Sequence, residues 1–274
     1  MSSTPGSTYT HGYGESVQRS YLARTAENSA AYLLPHLRPG QDLLDVGSGP
    51  GTITAGLAAR TAPGRLVALE LAPEALDQTR AGLTRAGSDL AHRAELLLGD
   101  VHALDLPDDS FDVVHAHQVL QHVADPVAAL REMIRVTRPG GVVAVRDADY
   151  ASFAWYPENP GLEKWAGYYQ AAARANGGEP DAGRRLLAWA RAAGATDVVA
   201  TSSTWCYADP EARQLWGGSW ADRILQSSIA TQLVDEKLAD PEDLVEVSQA
   251  WQAWAAEEDG WFNIVHGEVL VRVR

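Results

Sequence analysis

The chain is poor in several residue types, and each shortage excludes something. There is one cysteine, Cys206, so neither an internal disulfide nor a cysteine metal set can form, and a reducing, cytoplasmic setting is expected. Lys and Arg number 22 against 36 Asp and Glu, the net charge is -14, and no local basic patch breaks the pattern. Nucleic acid or an anionic membrane surface would be repelled by such a chain, so neither is expected as a partner. No apolar run is long enough to span a bilayer, and no signal peptide is recognisable. No histidine or methionine cluster suggests a metal site, and there is no repeat or low-complexity linker. What remains is ordinary for a folded protein: 46% hydrophobic and 21% charged residues in a 274-residue chain, enough for one large domain or a domain with a substantial insertion.

The most informative stretch runs from Leu43 to Thr54. Leu43, Leu44 and Val46 suit a buried strand, Gly47-Ser48-Gly49-Pro50-Gly51 breaks it, and Thr52 to Arg60 has the composition of a helix. Strand, glycine turn and helix together leave backbone close to a ligand and offer unpaired N–H groups at the helix start. A dinucleotide fingerprint wants glycine at its sixth position, where Thr52 stands, and a nucleotide-hydrolase phosphate loop needs a lysine that the turn lacks. Further on, Leu66 to Glu70 reads as a second strand ending in an acid. Ligands of open parallel sheets bind beyond the carboxyl ends of the strands, and an acid about 20 residues after the glycine turn is placed to accept from ribose hydroxyls. Glu70 is the candidate, with Leu71 following to pack on a ring.

Asp45-x-Gly47-x-Gly49-x-Gly51 resembles the first motif of class I S-adenosylmethionine-dependent methyltransferases, in which the turn cups the methionine and ribose of the cofactor. The resemblance continues in order along the chain. Gly99-Asp100-Val101 looks like the family's adenine contact, with Asp100 accepting from the amino group and Val101 against the ring. His117 to Val123 resembles the segment after the fourth strand in small-molecule enzymes related to the ubiquinone and menaquinone methyltransferases, and Arg138-Pro139-Gly140-Gly141 is another shared feature. The resemblance implies S-adenosyl-L-methionine as cofactor, with Asp45, Gly47, Ser48, Gly49, Gly51, Glu70, Leu71, Asp100, Val101 and Gln118 around it.

The expected fold is α/β, a Rossmann-like, seven-stranded, mostly parallel sheet with helices on both faces and a helical cover. Strands are expected at Leu43, Leu66, Ala94 to Leu98, Phe111 to Ala116, Val142 to Val145, Thr196 to Tyr207 and Trp261 to Val273. Residues 1–40 read as an N-terminal helical lid, its pattern running through Val17, Tyr21, Leu22, Ala30, Leu33 and Leu34, with Met1 to Ser7 as a frayed end. Tyr13 and Arg24 of this lid are expected at the cofactor, Arg24 against its carboxylate, and Tyr21 beside them. Residues 41–149, 181–207 and 261–274 form the cofactor-binding core on this reading, and 150–180 with 208–260 form helical substrate-cover insertions.

Methyl transfer from a sulfonium needs an aligned nucleophile and a dry site, and a base only for weakly acidic acceptors. The ionisable groups expected near the cleft are His117, His122 and Asp147, with Asp149 and Tyr150 nearby and His11 and His266 unsupported by any pattern. The nine tryptophans and nine tyrosines suit a pocket for an apolar or aromatic small molecule, the insertion's own core, or a homodimer contact. The run from Thr10 to Gly40 is similar to a microbial and fungal subgroup that includes dithiol S-methylating enzymes of secondary metabolism, which makes a thiol acceptor one option. Two alternatives stay open at this point: a regulatory protein that keeps the cofactor site, and a repurposed non-methylating enzyme such as a cyclase.

Overall fold

The computed structural model describes residues 21–274, so Tyr13, His11 and Val17 lie outside the described residues. After two helical residues at 21–22, the described chain forms a one-turn helix α1 (Ala26–Ser29) and a short 3-10 turn at Leu34–His36. It then alternates β1 (Leu43–Val46), α2 (Thr52–Thr61), β2 (Leu66–Glu70), α3 (Pro73–Ala86), α4 (Ser88–Arg93), β3 (Ala94–Leu98), β4 (Phe111–His117), α5 (Pro126–Arg135) and β5 (Thr137–Ala148). The second half holds β6 (Ala154–Tyr156), α6 (Pro160–Ala175), α7 (Leu186–Ala192), β7 (Val198–Tyr207), α8 (Pro210–Gln226), α9 (Ser228–Asp235), α10 (Pro241–Ala256) and β8 (Trp261–Arg272). The chemistry of several helix starts is repeated: Asp125, Asn159 and Asp209 each accept a hydrogen bond from the first-turn backbone, and a proline follows each at the first helical position.

The sheet has the order β3-β2-β1-β4-β5-β8-β6, with β7 on the other side of β8. Strands β1 to β5 are parallel, and β8 runs antiparallel to β5, β6 and β7. The central strands are buried on both faces, which is why they read as unbroken apolar runs. Leu44, Val67, Val114 and Val143 pack on one face against α5, and Leu43, Leu66, Val113 and Ala144 pack on the other against α2.

One expectation is corrected. The sheet has eight strands rather than seven, because β8 is longer than the partner that β5 offers it. Pairing with β5 ends at Ala148 opposite His266, and the aromatic Ala154–Tyr156 takes up the next part, Tyr156 opposite Trp261. Ahead of β1 the described residues are helical at 21–22, in α1 and in the 3-10 turn. Thr25 and Asn28 close a capping box around α1, and Pro35 limits the next turn to three residues.

The tryptophans of the second half pack on one another. Trp165, Trp220, Trp251 and Trp254 are buried, with Trp165 edge-on to Trp220 at 4.7 Å and to Trp251 at 4.9 Å, and Phe262 of β8 joins them. They are the core of the α6, α8 and α10 layer and its attachment to the sheet. Trp251→Ala is therefore expected to lower unfolding free energy by about 3–5 kcal/mol in urea titration, as for large-to-small changes in other cores.

Candidate active site

The glycine turn sits where β1 meets α2, and three of its residues lie in the left-handed region: Gly47 at φ 69°, Gly49 at 52° and Gly51 at 74°. A Cβ at Gly47 would stand 2.4 Å from Val119 Cγ2, and one at Gly51 would stand 2.9 Å from the Thr79 carbonyl, whereas one at Gly49 would meet nothing within 4 Å. Gly47 and Gly51 are thus held by packing, and Gly49 leaves open space where a side chain would stand.

The turn is fixed from three directions. The Gly49 N–H donates to Glu70 Oε1 at 2.5 Å, and Thr79 of α3 donates to the Gly49 carbonyl at 2.6 Å. Below it, Asp45 is 2% exposed, accepts from Thr54 Oγ1 at 2.5 Å and pairs with His115 Nδ1 at 2.7 Å. Asp45 and His115 are register partners of β1 and β4, so adjacent strands bring them together. Gly82 of α3 completes the arrangement, because a Cβ there would lie 1.8 Å from the Pro50 carbonyl.

A cavity of about 640 Å³ opens above these strand ends. Its walls include Asp45, Gly47, Ser48, Gly49, Glu70, Leu71, Asp100, Val101 and Gln118 from the sheet ends and turns, and Tyr21 and Arg24 from the N-terminal side. His117 and His122 also border it. Gly51 does not: it faces α3. Asp147 does not either. It is fully buried, and its Oδ1 accepts from the Gln121 N–H at 3.1 Å.

The electrostatics differ from group to group. Burial raises Glu70 to about 7, against the Gly49 N–H, which favours its charged form. Burial likewise raises Asp147 to about 7. At Asp100 burial works upward, but the His102 main chain and ring, the latter 2.6 Å away, outweigh it and keep the carboxyl below its usual range. Burial first, and then the Arg146 charge, hold His117 well below the ordinary imidazole range, and neither of its ring nitrogens has a hydrogen-bond partner among the described residues. Burial and then Arg24 lower His122 to about 3. Both imidazoles are neutral at physiological pH.

Several residues of this arrangement were not anticipated. His115 and Thr54 hold Asp45, Thr79 holds the turn, and Gln121 meets both Asp147 and His122. Arg146 is buried opposite Glu268, its register partner in β8, with Nε 3.3 Å from the carboxylate and its guanidinium over Trp205. A polar residue inside an apolar strand was the available signal for His115 and Arg146. Among the described residues no helix is long and apolar enough to cross a membrane, and no group of three or more His, Cys, Asp or Glu is placed to hold a metal ion.

Comparison with known proteins places this geometry. Residues 44–145 match the family model described as a methyltransferase domain. An uncharacterized methyltransferase of Schizosaccharomyces pombe is 34% identical over 271 residues, covering 96% of both chains. The chain belongs to the methyltransferases. A ubiquinone/menaquinone biosynthesis C-methyltransferase of Ruegeria is 35% identical over 128 residues, 46% of this chain and 48% of that one. In fold, the chain is similar to a phosphoethanolamine N-methyltransferase of Haemonchus contortus in complex with S-adenosyl-L-methionine, with a TM-score of 0.54 and 16% identity over 89% of this chain and 52% of that one. S-adenosylmethionine is the cofactor of this methyltransferase, and the open space at Gly49 and the Glu70 carboxyl beside one cavity fit it.

The close approach of α3 to the turn gives a first test. Gly82→Ala must push the Pro50 carbonyl away, and it is expected to lower unfolding free energy by about 1–3 kcal/mol in denaturant titration, the range for overpacked sites.

Proposed function

We propose that this methyltransferase acts on an apolar or aromatic small molecule of secondary metabolism whose acceptor atom ionises near neutral pH, a thiol being the best fit. The observation that carries the reading is the state of the two cavity histidines. Both are neutral, with His117 well below the ordinary range and His122 at about 3, so neither binds a proton strongly enough to strip a weakly acidic alcohol. The carboxyl of Asp147, at about 7, is turned to the Gln121 backbone rather than to the cavity. An acceptor that arrives as its own anion needs no such base. The likeness of Thr10 to Gly40 to the dithiol S-methylating subgroup supports the same choice.

On this reading the cofactor is held by Gly47, Ser48 and Gly49 along its amino-acid and ribose part, with Gly51 supporting the turn from behind. Glu70 accepts from the ribose hydroxyls, Leu71 and Val101 flank the adenine, Asp100 accepts from its amino group, and Gln118 and Arg24 border the sulfonium and carboxylate end. Bound there, S-adenosylmethionine supplies an electrophilic methyl group. The chain's own part is to orient the acceptor, keep water out and leave the acceptor's charge unquenched. Residues 150–180 and 208–260 serve as the substrate cover, with their tryptophans as its frame.

Two measurements test the reading. Glu70 accepts hydrogen bonds best as a carboxylate. A site raised to about 7 must lose its proton to bind, so affinity rises with pH up to about 7 and levels off above it. Calorimetric titration should show S-adenosylmethionine binding strengthening about tenfold between about pH 6 and about pH 8, and Glu70→Gln should bind more weakly with that dependence gone. Second, S-adenosylhomocysteine release should be measured against matched aryl thiols, phenols and aliphatic alcohols. The proposal expects turnover with the thiols and a rate that tracks the acceptor's own ionisation; preference for the aliphatic alcohols would overturn it.

A further inference from the structure

Near its end, β5 carries a charged side chain on the sheet face that the N-terminal segment covers. Arg146 stands two residues beyond Ala144, which packs with Leu33 and Ala30 on that face. It is 1% exposed. Its Nε donates to Ser203 Oγ at 3.0 Å and lies 3.3 Å from Glu268 Oε1. Nη1 and Nη2 have no hydrogen-bond partner among the described residues, and Glu268 is turned to Nε and to the hydroxyls of Thr201 and Ser203.

Two more polar groups of this face are in the same condition. The Tyr32 hydroxyl is buried without a partner among the described residues. Burial, and then the Glu268 charge, raise it, so it keeps its proton and is a donor. His117, the register partner of Arg146 in β4, is neutral with both ring nitrogens unmet. Two guanidinium nitrogens and a phenol are costly to bury in this way, and what would satisfy them is an acceptor.

Their position ties them to the cavity. His117 borders it, and so does Arg24, whose guanidinium carbon lies 5.3 Å from the centre of the Trp205 ring, with that of Arg146 at 4.7 Å from the same ring. Burial lowers Arg146 to about 10, which leaves it charged at neutral pH. The chain as a whole carries -14, so an anion is drawn inward only by local cations such as these.

We propose that the acceptor of this methyltransferase bears a carboxylate apart from the atom that is methylated, and that Arg146 anchors this carboxylate behind His117. With Nε engaged, the guanidinium presents its far edge, and the two oxygens of one carboxylate meet Nη1 and Nη2 as a pair, with the Tyr32 hydroxyl as a further donor. Arg24 keeps the carboxylate of the cofactor, so two cations serve two anions. The reacting atom itself stays clear of Arg146 and keeps its charge. The inference deepens the proposed function and rests on its placing of a small acceptor in this cavity.

The test is calorimetric titration of the full chain with thiol-free probes that differ only in the anionic group: benzoate against benzamide, phenylacetate against phenylacetamide, and indole-3-acetate against indole-3-acetamide. Each is measured on the chain alone and with S-adenosylhomocysteine, so a failed cofactor site shows as missing S-adenosylhomocysteine binding and not as a lost preference. The proposal expects a carboxylate to bind about tenfold more tightly than its amide, as for a charge-assisted pair. Arg146→Met should abolish that preference. Arg146→Lys should keep part of it, since an ammonium lacks the planar fork, and Tyr32→Phe should lower it about threefold. Glu268→Gln disturbs the same buried pair but leaves the guanidinium, so it should keep the preference. No preference with any probe, an unaltered one in Arg146→Met, or an equal loss in Glu268→Gln would overturn the proposal. Where urea titration shows Arg146→Met to be unfolded, the Arg146→Lys and Tyr32→Phe variants decide. The thiol reading stands or falls on its own turnover test, because no probe carries a thiol.

Discussion

The structure depends on holding three left-handed glycines at the end of one short strand. Gly47, Gly49 and Gly51 cannot keep that path by themselves, and the chain spends buried polar groups from three elements to keep it: Glu70 on the Gly49 N–H, Thr79 on the Gly49 carbonyl, and Asp45 joined to Thr54 and His115 beneath. Each of these would be unfavourable alone in an apolar interior, and together they satisfy one another. The parallel sheet makes this work, since β1, β2 and β4 end side by side and present Asp45, Glu70 and His115 at one edge.

The same burial that fixes the turn shapes the chemistry above it. Glu70 is pushed up and His117 and His122 down, so the cavity wall carries proton acceptors of low charge rather than strong bases. Such an interior leaves a bound anion unneutralised and suits a reaction whose electrophile already carries a positive charge. Burial first, and then the charges of Arg146 and Arg24, both against the Trp205 ring, hold His117 and His266 below the ordinary imidazole range.

Where the sequence was legible, the signal was local. The β1 turn, the acid closing β2 and the Gly99-Asp100-Val101 corner each lie within a few residues, and the strand and helix periods around them are unambiguous. The family resemblance and the α/β fold followed from those stretches. What escaped were features made by chain segments far apart. The strand Ala154–Tyr156 exists because β8 outruns β5, the hold on Gln121 needs Asp147 and Ala148 at the end of β5, and the Arg146–Glu268 pair needs the register of two antiparallel strands. The tryptophans were ambiguous for a related reason: composition reports apolar area but not which surface covers it, and here they cover one another.

The measurement that bears most directly on the account is calorimetric titration of the purified chain with S-adenosylmethionine and, separately, with NADH, repeated on Asp100→Ala. The account predicts that the sulfonium cofactor binds, that NADH does not, and that removing the Asp100 carboxylate weakens the binding that is seen. Absence of S-adenosylmethionine binding to the unaltered chain, or binding indifferent to the loss of Asp100, would contradict the placement of the cofactor over the Gly47 to Gly51 turn.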